Sequence, residues 1–279
     1  MSERPKHLWR FGCQARPWLQ TLGPERFRDE LPDVMRQIAD LGFAGFETAL
    51  ASLPVDDPGR FSRWRSAANG LELAAAHTGG AWWDPDKGAS VPDLLLEVAR
   101  LPELGCTHLM VSIGRGAAEL DDQHLLKMVT ILRTLGEGAA QYGVTMAIHN
   151  HDHELANHAR ILRALIASTS PAELMLGADI GWAMYGGWDP VAFVSEFGAR
   201  LGYLHVRDVV QVDGKAGFTE VGRGTTDWPA FSEALRWAGY RGWLTAESEF
   251  SDHWRGLDDP AASAAAQYDG MRRAFAGQD

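Results

Sequence analysis

The chain has 279 residues, a formal net charge of −11 and a pI of about 5.4, with 46% hydrophobic and 23% charged residues. This balance is that of an ordinary globular protein with a large core. It argues against a phosphate backbone as the main ligand, which needs a basic surface. The two cysteines, Cys13 and Cys106, have neither disulfide-framework nor metal-ligand spacing. No apolar run approaches the roughly 20 residues of a membrane span, and MSERPKHLWRF contains no apolar leader. A reduced, cytoplasmic protein with no nucleic-acid or membrane partner is expected.

The first apolar run, HLWRFGCQ (7–14), predicts strand 1. Phe27, Leu31, Val34, Met35, Ile38 and Leu41 then share one helical face. Gly42 leads into FAGFETA, Gly70 into LELAAAHT and Gly105 into CTHLMVSI, which are strands 2 to 4. A second helical face, Leu125, Met128, Val129, Leu132 and Leu135, precedes Gly143 and strand 5, VTMAIHN. LMLGADI after Pro171 is strand 6, YLHVRD after Gly202 is strand 7, and YRGWLTAES after Gly239 is strand 8. A Gly just past a helix supplies the left-handed cap that returns the chain to a strand. Eight strand–helix alternations imply parallel strands with right-handed crossovers. No Gly-rich dinucleotide fingerprint follows strand 1, so a closed (β/α)8 TIM barrel spanning 1–279 as one domain is preferred to an open doubly wound α/β sheet.

In such a barrel, polar residues at the C-terminal ends of the strands face the active site. Strand 2 ends with Glu47 and strand 3 with His77. Strand 5 gives His149, Asn150 and His151, with Glu154 just beyond. Strand 6 ends with Asp179, strand 7 with His205, Arg207 and Asp208, and strand 8 with Glu247 and Glu249. Taken singly, a strand-end His is more often a hydrogen-bonded structural residue, and an Asp before Ile-Gly a turn residue. Four consecutive strands each offering an imidazole or carboxylate at one height are harder to explain that way. Imidazole and carboxylate together suit Zn²⁺, Mn²⁺ or Co²⁺, and neighbouring strands lie about 4.8 Å apart, so one such side chain from each of strands 5 to 8 can converge on one ion. His149 and His151 have the same strand parity, and either can be the strand-5 ligand.

MAIHNHDHE (146–154), ADIGWAMYGGWDP (178–190), LHVRD (204–208), VGRGTTDW (221–228) and LTAESEF (244–250) together resemble the xylose isomerase-like superfamily of sugar phosphate isomerases and epimerases, which includes inosose dehydratases. The resemblance runs along essentially the whole chain. It implies one divalent metal (Mn²⁺, Zn²⁺, Co²⁺ or Mg²⁺) held from strands 5 to 8, at His149, Asp179, His205 and Glu247, and it makes a homo-oligomer possible. Many members carry Glu on strand 5, where this chain has His149. In ketose epimerases that Glu pairs with the strand-8 Glu as acid and base, so the His-Asn-His subgroup, with its inosose dehydratase-like proteins, is the better match.

The implied activity is metal-dependent isomerisation or epimerisation of a keto-sugar through an enediolate; the alternative is dehydration of a keto-cyclitol or keto-sugar. An ion chelated by a carbonyl and a neighbouring hydroxyl acidifies the C–H between them. Base candidates are Glu247, His151 and His77. Glu47 and Glu154 are expected to bind substrate hydroxyls, and Trp82 and Trp182 to stack on the sugar. Arg207 either holds a substrate oxyanion or pairs with Asp179 or Glu247 behind the ligands. The segment His77 to Trp83, with Gly79, Gly80 and Trp82, reads as a mobile aromatic lid. Val221-Gly222-Arg223-Gly224 either shapes the pocket or is an ordinary loop before a helix capped by Asp227. An apurinic endonuclease and a non-catalytic sugar-binding barrel are rival readings, the first disfavoured by the charge of −11.

Overall fold

The computed structural model describes residues 9–84 and 90–275. Among the described residues ten strands form: β1 (Arg10–Gln14), β2 (Gly45–Ala49), β3 (Glu72–Gly79), β4 (His108–Ser112), β5 (Thr145–His149), β6 (Met175–Asp179), β7 (Leu201–Val206), β8 (Asp208–Val212), β9 (Lys215–Thr219) and β10 (Trp243–Ala246). Eight of them close a barrel in the order β1-β10-β7-β6-β5-β4-β3-β2, every neighbouring pair parallel. The expected (β/α)8 barrel is therefore the observed fold.

β8 and β9 were not expected. They form an antiparallel hairpin outside the barrel, so Asp208 opens a hairpin rather than ending predicted strand 7, and predicted strand 8 is β10. The turn is Asp213-Gly214, both at positive φ, as a two-residue hairpin loop requires.

Strand parity sorts the barrel interior into layers. Ala75, Met110, Ala147, Tyr203 and Trp243 form a small apolar cluster inside the barrel, joined by Ala74 and flanked by Met175. One pleat further along, two residues on each strand, lie His77, Ser112, His149, His205 and, past Thr245, Glu247. The register holds them level: His149 pairs with Ser112, Asp179 with His205, and Gln14 with Glu47. Alternate residues, including Ala76, Leu109, Ile148, Leu176 and Leu244, point outward into the main core. There they meet the buried helix residues Phe27, Leu31, Val34, Met35 and Ile38 of Pro24–Asp40, and Leu125, Met128, Val129, Leu132 and Leu135 of Asp122–Gln141.

Five of the six glycines read as caps (42, 70, 105, 143 and 239) adopt positive φ. The sixth, Gly202, does not; it lies inside β7, and the chain enters that strand from a short 3-10 turn, Gly198–Arg200. Gly136 has a different function. It is buried in Asp122–Gln141, and a Cβ there would press into the backbone carbonyl of Glu173. Ala is normally the better helix former by about 1 kcal/mol. Gly136→Ala is nonetheless expected to destabilise the protein by about 2 kcal/mol through overpacking against backbone that cannot yield. Urea denaturation checks this, and an unchanged or raised midpoint would remove the argument.

Candidate active site

The ends of β5, β6, β7 and β10 are neighbours in the barrel. There His149, Asp179, His205 and Glu247 each offer one donor atom, all within 4.8 Å of one another and all buried. Burial, more than any neighbour, holds the His149 imidazole well below its usual value, with Glu247 opposing it. Burial also pushes Asp179 up, to about 7, with Glu247 adding to the effect and Arg207 opposing it. Glu247 goes the other way: burial raises it, but Arg207 and His205 pull it well below the carboxylate range.

His149 Nδ1, His205 Nδ1 and Glu247 Oε2 are buried without a hydrogen-bond partner. His205 Nδ1 and Glu247 Oε2 stand 2.8 Å apart, yet they make no aligned hydrogen bond. Buried polar atoms left unpaired cost about 1–3 kcal/mol each. Two imidazoles and two carboxylates, three of the four with an orphaned atom, are the donor set of a divalent transition metal. The residues present fit such an ion, with His149, not His151, in the group.

Positioning of this group is well defined. Asn150 Nδ2 donates to the Asp179 carbonyl at 3.1 Å, and Asp179 N–H donates to Asn150 Oδ1 at 3.0 Å, tying the ends of β5 and β6 together. Asp179 Oδ1 accepts from Trp182 N–H at 2.9 Å and caps the following helix, Ile180–Tyr185. Arg207 is wholly buried; its Nη2 donates to Asp179 Oδ2 at 2.5 Å, and Nη1 lies 3.8 Å from both Glu247 Oε1 and Glu249 Oε2. Its guanidinium lies over Phe218, 3.9 Å from the ring centroid, and 5.3 Å from that of Trp182. Arg207 thus pairs with Asp179 and stands near Glu247, and it does not line the cleft in the opposite half of the mouth. Breaking a buried ion pair on one side costs about 3–5 kcal/mol. Arg207→Met is accordingly expected to destabilise the metal-free protein by about 3 kcal/mol and the metal-loaded protein by less. Melts with and without chelator measure both, and equal losses in the two states would contradict the assignment.

The opposite half of the mouth is a cleft of about 380 Å³, lined by Gln14, Arg16, Glu47, His77, Gly79 and Ser112 among others. Glu47 is its organising carboxylate. Oε1 accepts from Gln14 Nε2 at 3.0 Å and faces His77 Nδ1 at 3.1 Å; Oε2 faces His205 Nε2 at 2.7 Å. Burial pushes Glu47 up, but His205 and His77 more than offset it and bring it down to about 2. His205 itself is driven down by burial and up, further, by Glu47 and Glu247. Glu47 thus orients two imidazoles and has no free oxygen for a substrate hydroxyl. On its far side, His77 Nε2 meets Ser112 Oγ at 2.9 Å.

Several expected substrate contacts are corrected. Glu154 is fully buried and accepts from the His151 amide at 2.8 Å, away from the cleft. Trp82 is 1% exposed and donates from Nε1 to the Ser112 carbonyl at 2.9 Å. It is a packing residue, and this anchoring also removes the reading of residues 77–83 as a free lid. Trp182 is buried against Phe218, Tyr185 and His253. Neither indole lines the cleft. His151 packs edge-on against His149 but belongs to a separate group with His153 and Glu154. The loop 221–224 is held by Asp208, which accepts from Gly222 N–H, Thr226 N–H and hydroxyl, and Trp228 Nε1. Asp227 caps the next helix, Trp228–Trp237, as expected.

Gln14, Ser112 and Phe218 were not anticipated. Gln14 and Ser112 carried a usable signal, since each stands at a strand end with inward parity, but neither is a common metal ligand. Phe218 sits in the β8–β9 hairpin, whose sequence signal is the Asp213-Gly214 turn and not Phe218 itself.

A family model described as "Xylose isomerase-like TIM barrel" matches residues 35–274. The chain belongs to the xylose isomerase-like TIM barrel family. Among curated members, the inosose dehydratase of Geobacillus kaustophilus is 24% identical over 308 aligned positions, covering 98% of this chain and 95% of that one. The rhizopine catabolism protein MocC of Rhizobium meliloti is 26% identical over 252 positions, covering 78% and 74%. Among solved structures of this fold, an L-ribulose 3-epimerase superposes with a TM-score of 0.75 at 20% identity, covering 96% of this chain and 94% of that one. D-allulose 3-epimerase from Methylomonas sp. does so with a TM-score of 0.72 at 18% identity, covering 97% and 98%. Among the described residues no helix is long and apolar enough to cross a membrane.

Proposed function

We propose that this protein is a divalent-metal-dependent isomerase or epimerase of a keto-sugar or related polyol, working through an enediolate. The observation that carries the reading is the four-residue donor group, with its orphaned atoms, set against a cleft walled by the His77–Glu47 pair. His149, Asp179, His205 and Glu247 would hold the ion, which when bound would polarise a substrate carbonyl and acidify the adjacent C–H.

The chain's own groups account for the proton. With Nδ1–H of His77 donating to Glu47, Nε2 has the lone pair and the Ser112 hydroxyl as partner. An imidazole so oriented takes the proton from the carbon next to the carbonyl and returns it to the neighbouring carbon. Glu47, ionised, stabilises the imidazolium formed in between. Glu247, engaged by His205 and Arg207, is better suited to holding the ion than to acting as base. His151 faces Glu154 and does not line the cleft. A single base on one side favours a proton shift on one face of the substrate over two-sided epimerisation. The cleft, about 380 Å³, suits a molecule of monosaccharide size.

Dehydration is the second reading, and it is favoured by the alignment with an inosose dehydratase along 98% of the chain. There the same imidazolium would hand its proton to a departing β-hydroxyl. Incubation of metal-loaded protein with ketoses and with a keto-inositol in D2O separates the two. Isomerisation gives deuterium in a rearranged ketose or aldose, whereas dehydration gives an absorbing conjugated enone. Absence of any C–H exchange across the panel would remove both.

A further inference from the structure

We propose that His151, His153 and Glu154 form a second divalent-cation site, of the zinc class, separate from the four-residue group. Each offers one donor atom, all within 4.8 Å of one another. The two groups share no residue, although His149 and His151 pack edge-on with ring centroids 4.7 Å apart.

The local backbone builds this site. His151 is extended at the N-cap of the helix that begins at Asp152, and Glu154 Oε2 reaches back to its amide at 2.8 Å. That leaves Glu154 Oε1 with no hydrogen bond. It lies 3.1 Å from His153 Nε2, and His153 Nε2 likewise has no aligned partner. His151 Nδ1, 3.6 Å from Glu154 Oε2, is the third buried orphan. The two imidazoles are stacked 12° from parallel with centroids 5.1 Å apart, both flanking one carboxylate. Glu154 is wholly buried and the His153 side chain 10% exposed.

Three unpaired buried donors at one point are costly. A single cation satisfies all three, where a proton satisfies at most one contact. Two imidazoles and one carboxylate form a three-ligand zinc set, with a fourth position for water. The His151 side chain, 24% exposed, leaves access to solvent. Asp152 Oδ1 lies 3.7 Å from His153 Nδ1, on the side where a carboxylate orients a ligating His.

The test uses the full chain, stripped with chelator, reloaded with Co²⁺ or Zn²⁺ and desalted. Elemental analysis is expected to find two ions per chain in the wild type, one in His153→Gln, one in Asp179→Ala and none in the double variant. Co²⁺ should add an intense visible band at one of the two equivalents that His153→Gln lacks. His153→Phe, which keeps the ring volume, controls for folding. A wild type that retains a single ion, or a second ion that survives both His153 variants, overturns the proposal. If the His153-dependent ion is present while the Asp179-dependent one is not, this inference stands and the proposed function falls.

Discussion

Asp179→Ala is expected to remove the firmly held ion of the four-residue group and to lower turnover about 10³-fold, equivalent to about 4 kcal/mol of transition-state stabilisation. Three features of the site make Asp179 decisive. It is the end of β6, level with His205 across the ladder. It is the partner of Arg207 at 2.5 Å. It also caps the helix that carries Trp182. Its loss removes a ligand and leaves a buried guanidinium short of a counter-charge, so some loss of stability accompanies the loss of metal. His205→Gln, which keeps the side-chain volume approximately and leaves Arg207 paired, separates the two effects. It too should lose the ion, with a smaller change in melting temperature. Retention of a stoichiometric ion and full turnover in both variants would rule out the four-residue group as the working centre.

His77→Gln should show the complementary pattern: an intact metal content and a turnover reduced by about 10²–10⁴-fold, the usual contribution of a positioned acid–base group. His77 donates nothing to the four-residue group, and its two ring nitrogens are engaged by Glu47 and Ser112. An amide can replace both hydrogen bonds but cannot carry the proton. The loss should fall on kcat more than on KM, and deuterium exchange into the substrate from D2O should fall in parallel. Unchanged exchange would move the base elsewhere, with Glu247 and His151 as the remaining candidates.

The barrel and the polar ends of its strands were legible because both follow from period-two alternation. Once Gly143, Gly239 and their like marked where strands begin, the strand ends gathered the polar candidates at one mouth, and the family resemblance selected His149, Asp179, His205 and Glu247 among them. The hairpin was passed over although its signal was present. VVQV and KAGFT flank Asp213-Gly214, a strong two-residue turn, but eight strands already completed a barrel. Burial of large amphipathic residues was not legible at all. Whether Trp82 presents a face to a sugar or packs beneath the backbone of β4 depends on which neighbours close over it, and those lie 30 residues away in the chain. The same holds for Glu154, whose inward turn depends on the cap it makes with His151.

The mouth of the barrel is divided between its two halves. Donors for an ion come from β5, β6, β7 and β10, whereas the cleft wall comes from β1, β2, β3 and β4. His205 joins them, reaching Glu47 with one nitrogen and Glu247 with the other, and Arg16 joins them again at Glu249. Under the proposed function, loops following the first four strands could be rewritten for a different polyol, by evolution or by a designer, while the ion-binding group and the His77–Glu47 pair, both on the strands, are inherited untouched.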